Sequence, residues 1–408
     1  MKVTLNNKVL FILFALAFLS SCNSDTAEPV SEYELPELID RSEKIQNGKE
    51  WDIVQNQYAK ILKASDEGKI EATQKLELAQ LYIKEARVTG EHGHYYPAAL
   101  NQVEEILASK EITNDLKFLS LVTKASIQLS LHEFADALNT GQEAIVLNPR
   151  NAQIFGVLVD AHVELGNYEK AIVFADRMVN IKPDIRSYSR VSYLREIHGD
   201  TEGAMKAMKM AVESGFPGTE ETAWAMLTLG ELHQKYGKLS DAETIYNTVL
   251  QMRNDYPFAV AALGDIEFEK GNLKAAEKNY REAIEIIPEV GFYISLGEIL
   301  KMTGRVEEFK KNSDEIDEML LDDVTHGHNM NLEYANLFLD QRQDPNAALK
   351  YAEEEYKKRP QNIDVNLMMA KIYADLNKDD EVKEYAKVAL KTNASYPDIK
   401  QLQSQLNR

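Results

Sequence analysis

The chain has 408 residues, one cysteine and a formal net charge of −20. One cysteine allows no internal disulfide framework, and so negative a field disfavours nucleic acid, whose phosphates need clustered Lys and Arg. The length exceeds what a single hydrophobic core ordinarily serves, so the fold must divide its core among several units.

In chain order, Lys2 and Lys8 lead into eleven apolar residues at 9–19. As a helix these would span about 16 Å, half of the roughly 30 Å hydrocarbon core, which suits a signal-peptide core and not a spanning anchor. Leu19-Ser20-Ser21-Cys22 follows. It resembles the bacterial lipobox, an apolar residue and two small ones before Cys. That resemblance implies cleavage after residue 21, acylation of Cys22 and a mature chain of charge −22, since Lys2 and Lys8 leave with the leader. Several acyl chains on one residue anchor stably where one chain does not. Residue 23 is Asn, not Asp, which directs the expectation to the outer membrane, periplasmic or surface-exposed. The predicted domains therefore begin with a lipoprotein signal peptide at 1–21 and a flexible tether at 22–34.

Beyond the tether the chain repeats itself. In residues 257–290, Gly264, Gly271, Ala276, Tyr280, Ala283 and Pro288 fall at positions 8, 15, 20, 24, 27 and 32 when Pro257 is position 1. The same ruler restarts at 118, 152, 185, 223, 290, 329 and 363, with degenerate copies near 35 and 72. Position 20 reads Val54, Ala99, Ala137, Ala171, Ala204, Ala242, Ala276, Phe309, Ala348 and Val382, and position 8 is almost always small. Small residues there let two helices approach closely, Gly at 15 takes a left-handed turn, and no alternating strand pattern competes. This pattern resembles the tetratricopeptide repeat, over about residues 35–394. The resemblance implies an all-α, right-handed superhelical solenoid of about ten helix pairs, with degenerate repeats at 35–117 and the main array at 118–394. A C-terminal capping helix at 395–408 would cover the last repeat with Ile399, Leu402 and Leu406. Phe309 and Asn336 depart from the small-residue code, so their helix pairs are expected to splay. Residues 87–96 are expected to lengthen an inter-helix loop, and 213–222 and 320–328 to add turns.

In proteins with such repeats, positions 2, 5, 9, 12 and 13 line a concave groove where partners bind. Position 9 supplies Asp160, Tyr193, Glu231, Asp265 and Glu298; position 2 supplies Trp224 and Phe258, and position 12 Phe268. An acidic floor with aromatic anchors suits a basic or extended peptide. The two-carboxylate clamp of the repeat family needs Lys and Asn at positions 5 and 9; here they read Gly156 and Asp160, or Ala261 and Asp265, so that site is absent.

Catalytic signatures are missing: there is no phosphate-binding glycine loop, no G-x-S-x-G and no H-E-x-x-H. No cofactor motif stands out, and thiol catalysis is excluded outside Cys22. His132-Glu133 is a near miss that lacks the second His. Four of the eight histidines fall in two H-G-H tripeptides, His92-Gly93-His94 and His326-Gly327-His328. Asp322 and His326, four apart on one helix face, with His328 folded back by Gly327, make a candidate site for Zn, Ni or Cu. His162 and His233, at position 11, read as packing residues, and His198 as a cation at a helix C-terminus. The expectation is a non-enzymatic, membrane-anchored scaffold gripping a protein or peptide partner in envelope assembly or secretion. An extracytoplasmic metal-handling protein is the rival reading.

Overall fold

The computed structural model describes residues 35–407. The signal segment, Cys22 and residues 23–34 lie outside the described residues. The chain divides into two units, 1–36 and 37–408, and every described helix belongs to the second.

Among the described residues there is no strand. After α1 (Lys49–Asp66), helices come in antiparallel-type pairs, each packed on its partner and on the pairs either side. These are α2 (Ala72–Thr89) with α3 (His92–Ala108), α4 (Asn114–Ser130) with α5 (Phe134–Leu147), and α6 (Ala152–Glu164) with α7 (Tyr168–Ile181). Next come α8 (Ile185–Ile197) with α9 (Thr201–Glu213), α10 (Glu220–Lys235) with α11 (Leu239–Met252), and α12 (Pro257–Glu269) with α13 (Leu273–Ile286). The series ends with α14 (Val290–Met302) and α15 (Val306–Thr325), α16 (Asn331–Asn336) and α17 (Pro345–Lys358), α18 (Ile363–Asp375) and α19 (Asp379–Ala389), and the single α20 (Pro397–Leu406).

The spacing of small residues explains the pairing. Ala99, Ala137, Ala171, Ala204, Ala242, Ala276 and Ala348 are all fully buried between paired helices. Positions 8 and 24 are complementary. Where position 8 is Gly230 or Gly264, the ring of Tyr246 or Tyr280 fills the space, and an added Cβ would stand 2.3 or 2.6 Å from that ring. Where position 8 is Ala125 or Ala370, position 24 is Gly141 or Ala386. Interiors packed to crystal-like density demand such trades.

Position 15 is left-handed in all eight repeats from 118 onward. Gly166, Gly199, Gly237, Gly271 and Gly304 have φ of 71–81°, while His132, Gln343 and Asn377 adopt 60°, 55° and 57°. The three side-chain-bearing residues accept a conformation that costs an L-residue about 1–2 kcal/mol.

Several sequence expectations need correction. The copy near 35 has no first helix; residues 37–48 run as an irregular segment with one 3-10 turn, Glu43–Ile45. Residues 87–96 form no long loop: α2 continues to Thr89, Gly90 turns the chain at φ 78°, and α3 starts at His92. Of the surplus residues after 319, those to Thr325 extend α15, and the expected turn is confined to 326–327, with Gly327 at φ 89°. In the 329 copy the helix continues past Asn336 as a π-turn, Leu337–Gln341. Gln341 then reaches the preceding repeat, donating to the Ile294 carbonyl at 3.0 Å above Gly297.

A second set of contacts links repeats far apart in sequence. The Asn329 amide donates to the Leu131 carbonyl at 3.1 Å, and the Ile363 amide to the Tyr168 hydroxyl at 2.9 Å. Asn362 donates to the Glu164 carbonyl at 3.0 Å, Arg359 pairs with Glu164, and Arg253 meets Glu50 at 3.2 Å. Thr201 lies 3.5 Å from Ser395. Such partners recur 194 to 203 residues apart, or about six repeats. The turn inside each early repeat thus rests on the linker between two later repeats, so one turn of the coil sits on the next. Gly166 and Gly199 serve both needs at once, because a Cβ there would lie 2.1 Å from the Gln361 carbonyl oxygen and 2.5 Å from that of Asn393.

Candidate functional site

The residues expected to line the groove do not share one environment. Asp160 on α6 is held by Arg190 of α8, whose Nε donates to it at 2.8 Å. Its charge is compensated within the protein. Tyr193 on α8 is 38 % exposed. It faces the later turn of the coil, and burial, with Asp364 and Glu164 nearby, pushes its hydroxyl well above the usual range. Phe258 and Phe268 give part of their surface to the hydrophobic cluster around Val260 and Phe292. Trp224 remains 46 % exposed.

The other three acids form a row. Glu231 (α10), Asp265 (α12) and Glu298 (α14) occupy the same register on successive first helices. Burial raises each carboxyl above the usual range, Asp265 to about 6, and like charge adds to it: Asp265 acts on Glu231, Glu298 on Asp265, and Asp340 on Glu298. Water reaches the Glu231 and Glu298 side chains, and the protein packed beside all three acids disfavours their charged form. Lys235 and Lys301 offset Glu231 and Glu298 in part, while Asp265 has only the Tyr280 hydroxyl, donating at 2.6 Å.

The histidines gather elsewhere. The two H-G-H tripeptides, at the start of α3 and just after α15, come together where the coil's turns meet. An added Cβ at Gly93 would stand 2.7 Å from Asp322 and 2.8 Å from His326. Asp322 and His326 pair with each other at 3.3 Å, with side chains 64 % and 43 % exposed. His94 lies against the Glu37 carbonyl at 2.8 Å. Asp323 and His328 turn inward instead, with side chains 18 % and 9 % exposed. One ligand atom each from His92, Asp323 and His328 lies within 4.8 Å of the others. His132 joins them, its ring 4.5 Å from that of His328 and its Nδ1 2.9 Å from the Asn329 carbonyl oxygen. Burial lowers the basicity of His92 and His132. Of the sequence candidates Asp322, His326 and His328, only His328 is part of this inner group. Sequence reasoning missed His132, although its left-handed position among glycines was visible. His162 is buried and stacks on Phe174 at 5.5 Å, and His233 faces Asp241 at 3.4 Å.

Profiles described as tetratricopeptide repeat match residues 122–184, 227–290 and 341–406, and the chain carries tetratricopeptide repeats there. Among curated proteins it is similar to small glutamine-rich tetratricopeptide repeat-containing protein 2 of Saccharomyces cerevisiae, 29% identical over 115 residues. The match takes in 28% of this chain and 32% of that protein, so the chain spans about a third of the length of this curated relative. Among solved structures, a human IFIT1 dimer with m7Gppp-AAAA is 11% identical, with 86% of this chain and 87% of that one covered and a TM-score of 0.46. PilF of Pseudomonas aeruginosa is 10% identical, with 72% and 99% covered and a TM-score of 0.38.

Proposed function

We propose that this tetratricopeptide-repeat chain is a non-enzymatic scaffold whose row of Glu231, Asp265 and Glu298 takes a basic or extended segment of a protein partner. The acid row carries this reading. Three carboxylates in one register, desolvated by the protein and short of internal cations, leave a negative potential that a partner's Lys or Arg would relieve. Trp224, exposed on the same face at α10, is the aromatic anchor such a segment needs. Tetratricopeptide repeats generally serve as protein-interaction surfaces, and nothing in the sequence supplies a catalytic motif.

The membrane half of the proposal rests on the sequence alone. Cys22, acylated after removal of residues 1–21, would hold the solenoid at the outer membrane through its lipid, with residues 23–34 as tether and with envelope assembly or secretion as the process. Two experiments test the two halves separately. Cys22→Ser should move the protein from the membrane fraction to the soluble one; retention in the membrane sinks the anchor. Affinity capture from envelope extracts should recover a partner, and Glu231→Lys with Glu298→Lys, both on solvent-open side chains, should abolish its recovery. Undiminished recovery would place the binding surface elsewhere.

A further inference from the structure

The geometry points to a divalent transition-metal site, with zinc as its first occupant, built by His92, Asp323 and His328 at the junction of two turns of the coil. It does not depend on the acid row or on what partner binds there.

The ligand set is chemically complete. Two imidazoles and one carboxylate suit Zn²⁺ and its neighbours, and leave a fourth position for water or a further imidazole. Ligand atoms around a tetrahedral zinc, at bonds of about 2.0–2.2 Å, stand about 3.4 Å from one another. The three donor atoms here lie within 4.8 Å, so small side-chain rotations close the remaining gap.

A second observation is independent of that spacing. The His328 side chain is 9 % exposed, and neither of its ring nitrogens has a hydrogen-bond partner; its nearest carboxylate oxygen, on Asp323, stands 3.7 Å off. Oε2 of Glu333, which faces His132, is likewise buried without a partner. Buried polar atoms are nearly always satisfied, and leaving one unsatisfied is destabilising. A cation at this point would use a nitrogen of His328 and draw on the negative charge of Asp323 and Glu333. The neighbouring His132 has its Nδ1 engaged by the Asn329 carbonyl, the kind of hydrogen bond that fixes the ring of a metal-binding histidine.

The position gives the metal a role. His92 opens α3, whereas Asp323 and His328 lie at the end of α15 and just beyond it, more than two hundred residues later in the chain. A bound ion would staple the early turn of the coil to the later one, adding coordinate bonds to the packing and hydrogen bonds that already join them. Because such an ion binds the folded coil and not the separated segments, it should raise the melting temperature, increasingly as the free ion concentration exceeds Kd.

Isothermal titration of the purified full chain with ZnCl₂, after EDTA treatment and buffer exchange, tests this. One saturable site should appear, accompanied by a rise in melting temperature that EDTA reverses. Co²⁺ in place of Zn²⁺ should give the visible absorption of a low-coordinate nitrogen–oxygen site. His92→Gln and Asp323→Asn should each weaken Zn²⁺ binding by at least about 10-fold, while His94→Gln and His326→Gln, the solvent-facing partners in the same tripeptides, should leave it unchanged. Circular dichroism of each variant separates lost binding from lost fold, and the half-buried His92 is the variant that decides if His328→Gln does not fold. The proposal is overturned by no saturable binding below about 0.1 mM, by binding that survives both His92→Gln and Asp323→Asn, or by binding that His94→Gln or His326→Gln removes.

Discussion

Gly230→Ala is the sharpest test of why the repeats pair as they do. Helix propensity alone says the change should help, because Ala is better than Gly in a helix interior by about 0.8–1.0 kcal/mol. The structure says the opposite. The new Cβ would lie 2.3 Å from Cε1 and 2.8 Å from Cδ1 of Tyr246, both well inside the roughly 3.5–4.0 Å at which carbon atoms rest. Tyr246 is fully buried and its hydroxyl donates to Gln234 at 2.9 Å, so the ring has no free direction to retreat. Forced overpacking of this kind costs about 1–3 kcal/mol and occasionally more. Net destabilisation of up to about 2 kcal/mol results once the propensity gain is subtracted. Urea unfolding followed by the fluorescence of Trp224, which sits on α10 with Gly230, reports on the right helix pair. Gly291→Ala supplies the control: that helical glycine has nothing within 4 Å of an added Cβ, so the same substitution should stabilise by roughly 0.4–1 kcal/mol. In a Tyr246→Ala background, Gly230→Ala should change sign and become stabilising. If Gly230→Ala raises the midpoint of the wild type, or costs the same in both backgrounds, the complementarity of positions 8 and 24 is not what pairs these helices.

Arg359→Met should cost about 3–5 kcal/mol, because it leaves the buried Glu355 and the Glu164 contact uncompensated, and adding Glu355→Gln should recover much of the loss; a cost under about 1 kcal/mol by urea unfolding would show that this junction between turns bears no load. Asp265 is raised to about 6 in the folded chain, so the fold binds a proton that the unfolded chain, titrating near 3.9, has released. The stability it contributes is present below about pH 4 and is lost as pH rises through about 6. Asp265→Asn, which still accepts from Tyr280, should remove that part of the pH dependence between melting curves at pH 4.5 and 7, and parallel curves for both proteins refute the assignment. Arg253→Ala should loosen residues 41–50 from the array, since Arg253 is buried and bridges Glu50 and Glu220 at 3.2 Å each; faster hydrogen exchange confined to that segment is the expected reading, and unchanged exchange there would contradict it.

What the sequence displayed was local. The alanines at position 20 and the glycines at 8 and 15 act within one helix pair, and contacts inside a pair recur at a fixed spacing that can be read from letters alone. Ala204 or Gly271 needs no knowledge of distant residues to do its work. The first copy failed for the same reason: residues 37–48 are held by long-range partners, Arg41 by Glu85 at 2.7 Å among them, and not by a helix of their own. The groove was legible in register and illegible in chemistry. Position 9 marked Asp160, Glu231, Asp265 and Glu298 alike, yet Arg190, a single residue on the next helix pair, takes Asp160 out of the row. Choosing between Asp322 and Asp323 required knowing that α15 runs unbroken to Thr325, which sends the first to water and the second inward.

The contacts between turns of the coil had no periodic signature because they come from the residues the repeat leaves free. Turns and linkers are under no pressure to be small or apolar, so Glu164, Tyr168, Arg359 and Asn362 each look like ordinary surface residues until the coil's rotation sets them opposite one another. A solenoid whose repeats touch only their neighbours is compliant, since each interface flexes independently and the small rotations add. Here the turns at Leu131, Glu164 and Thr201 are each braced by a later repeat, so the interfaces between them cannot bend without disturbing a contact some two hundred residues away. The early repeats are therefore stiffened by the junction as well as by their own packing. The cation proposed among His92, Asp323 and His328 would add one more brace of the same kind, between α3 and the end of α15.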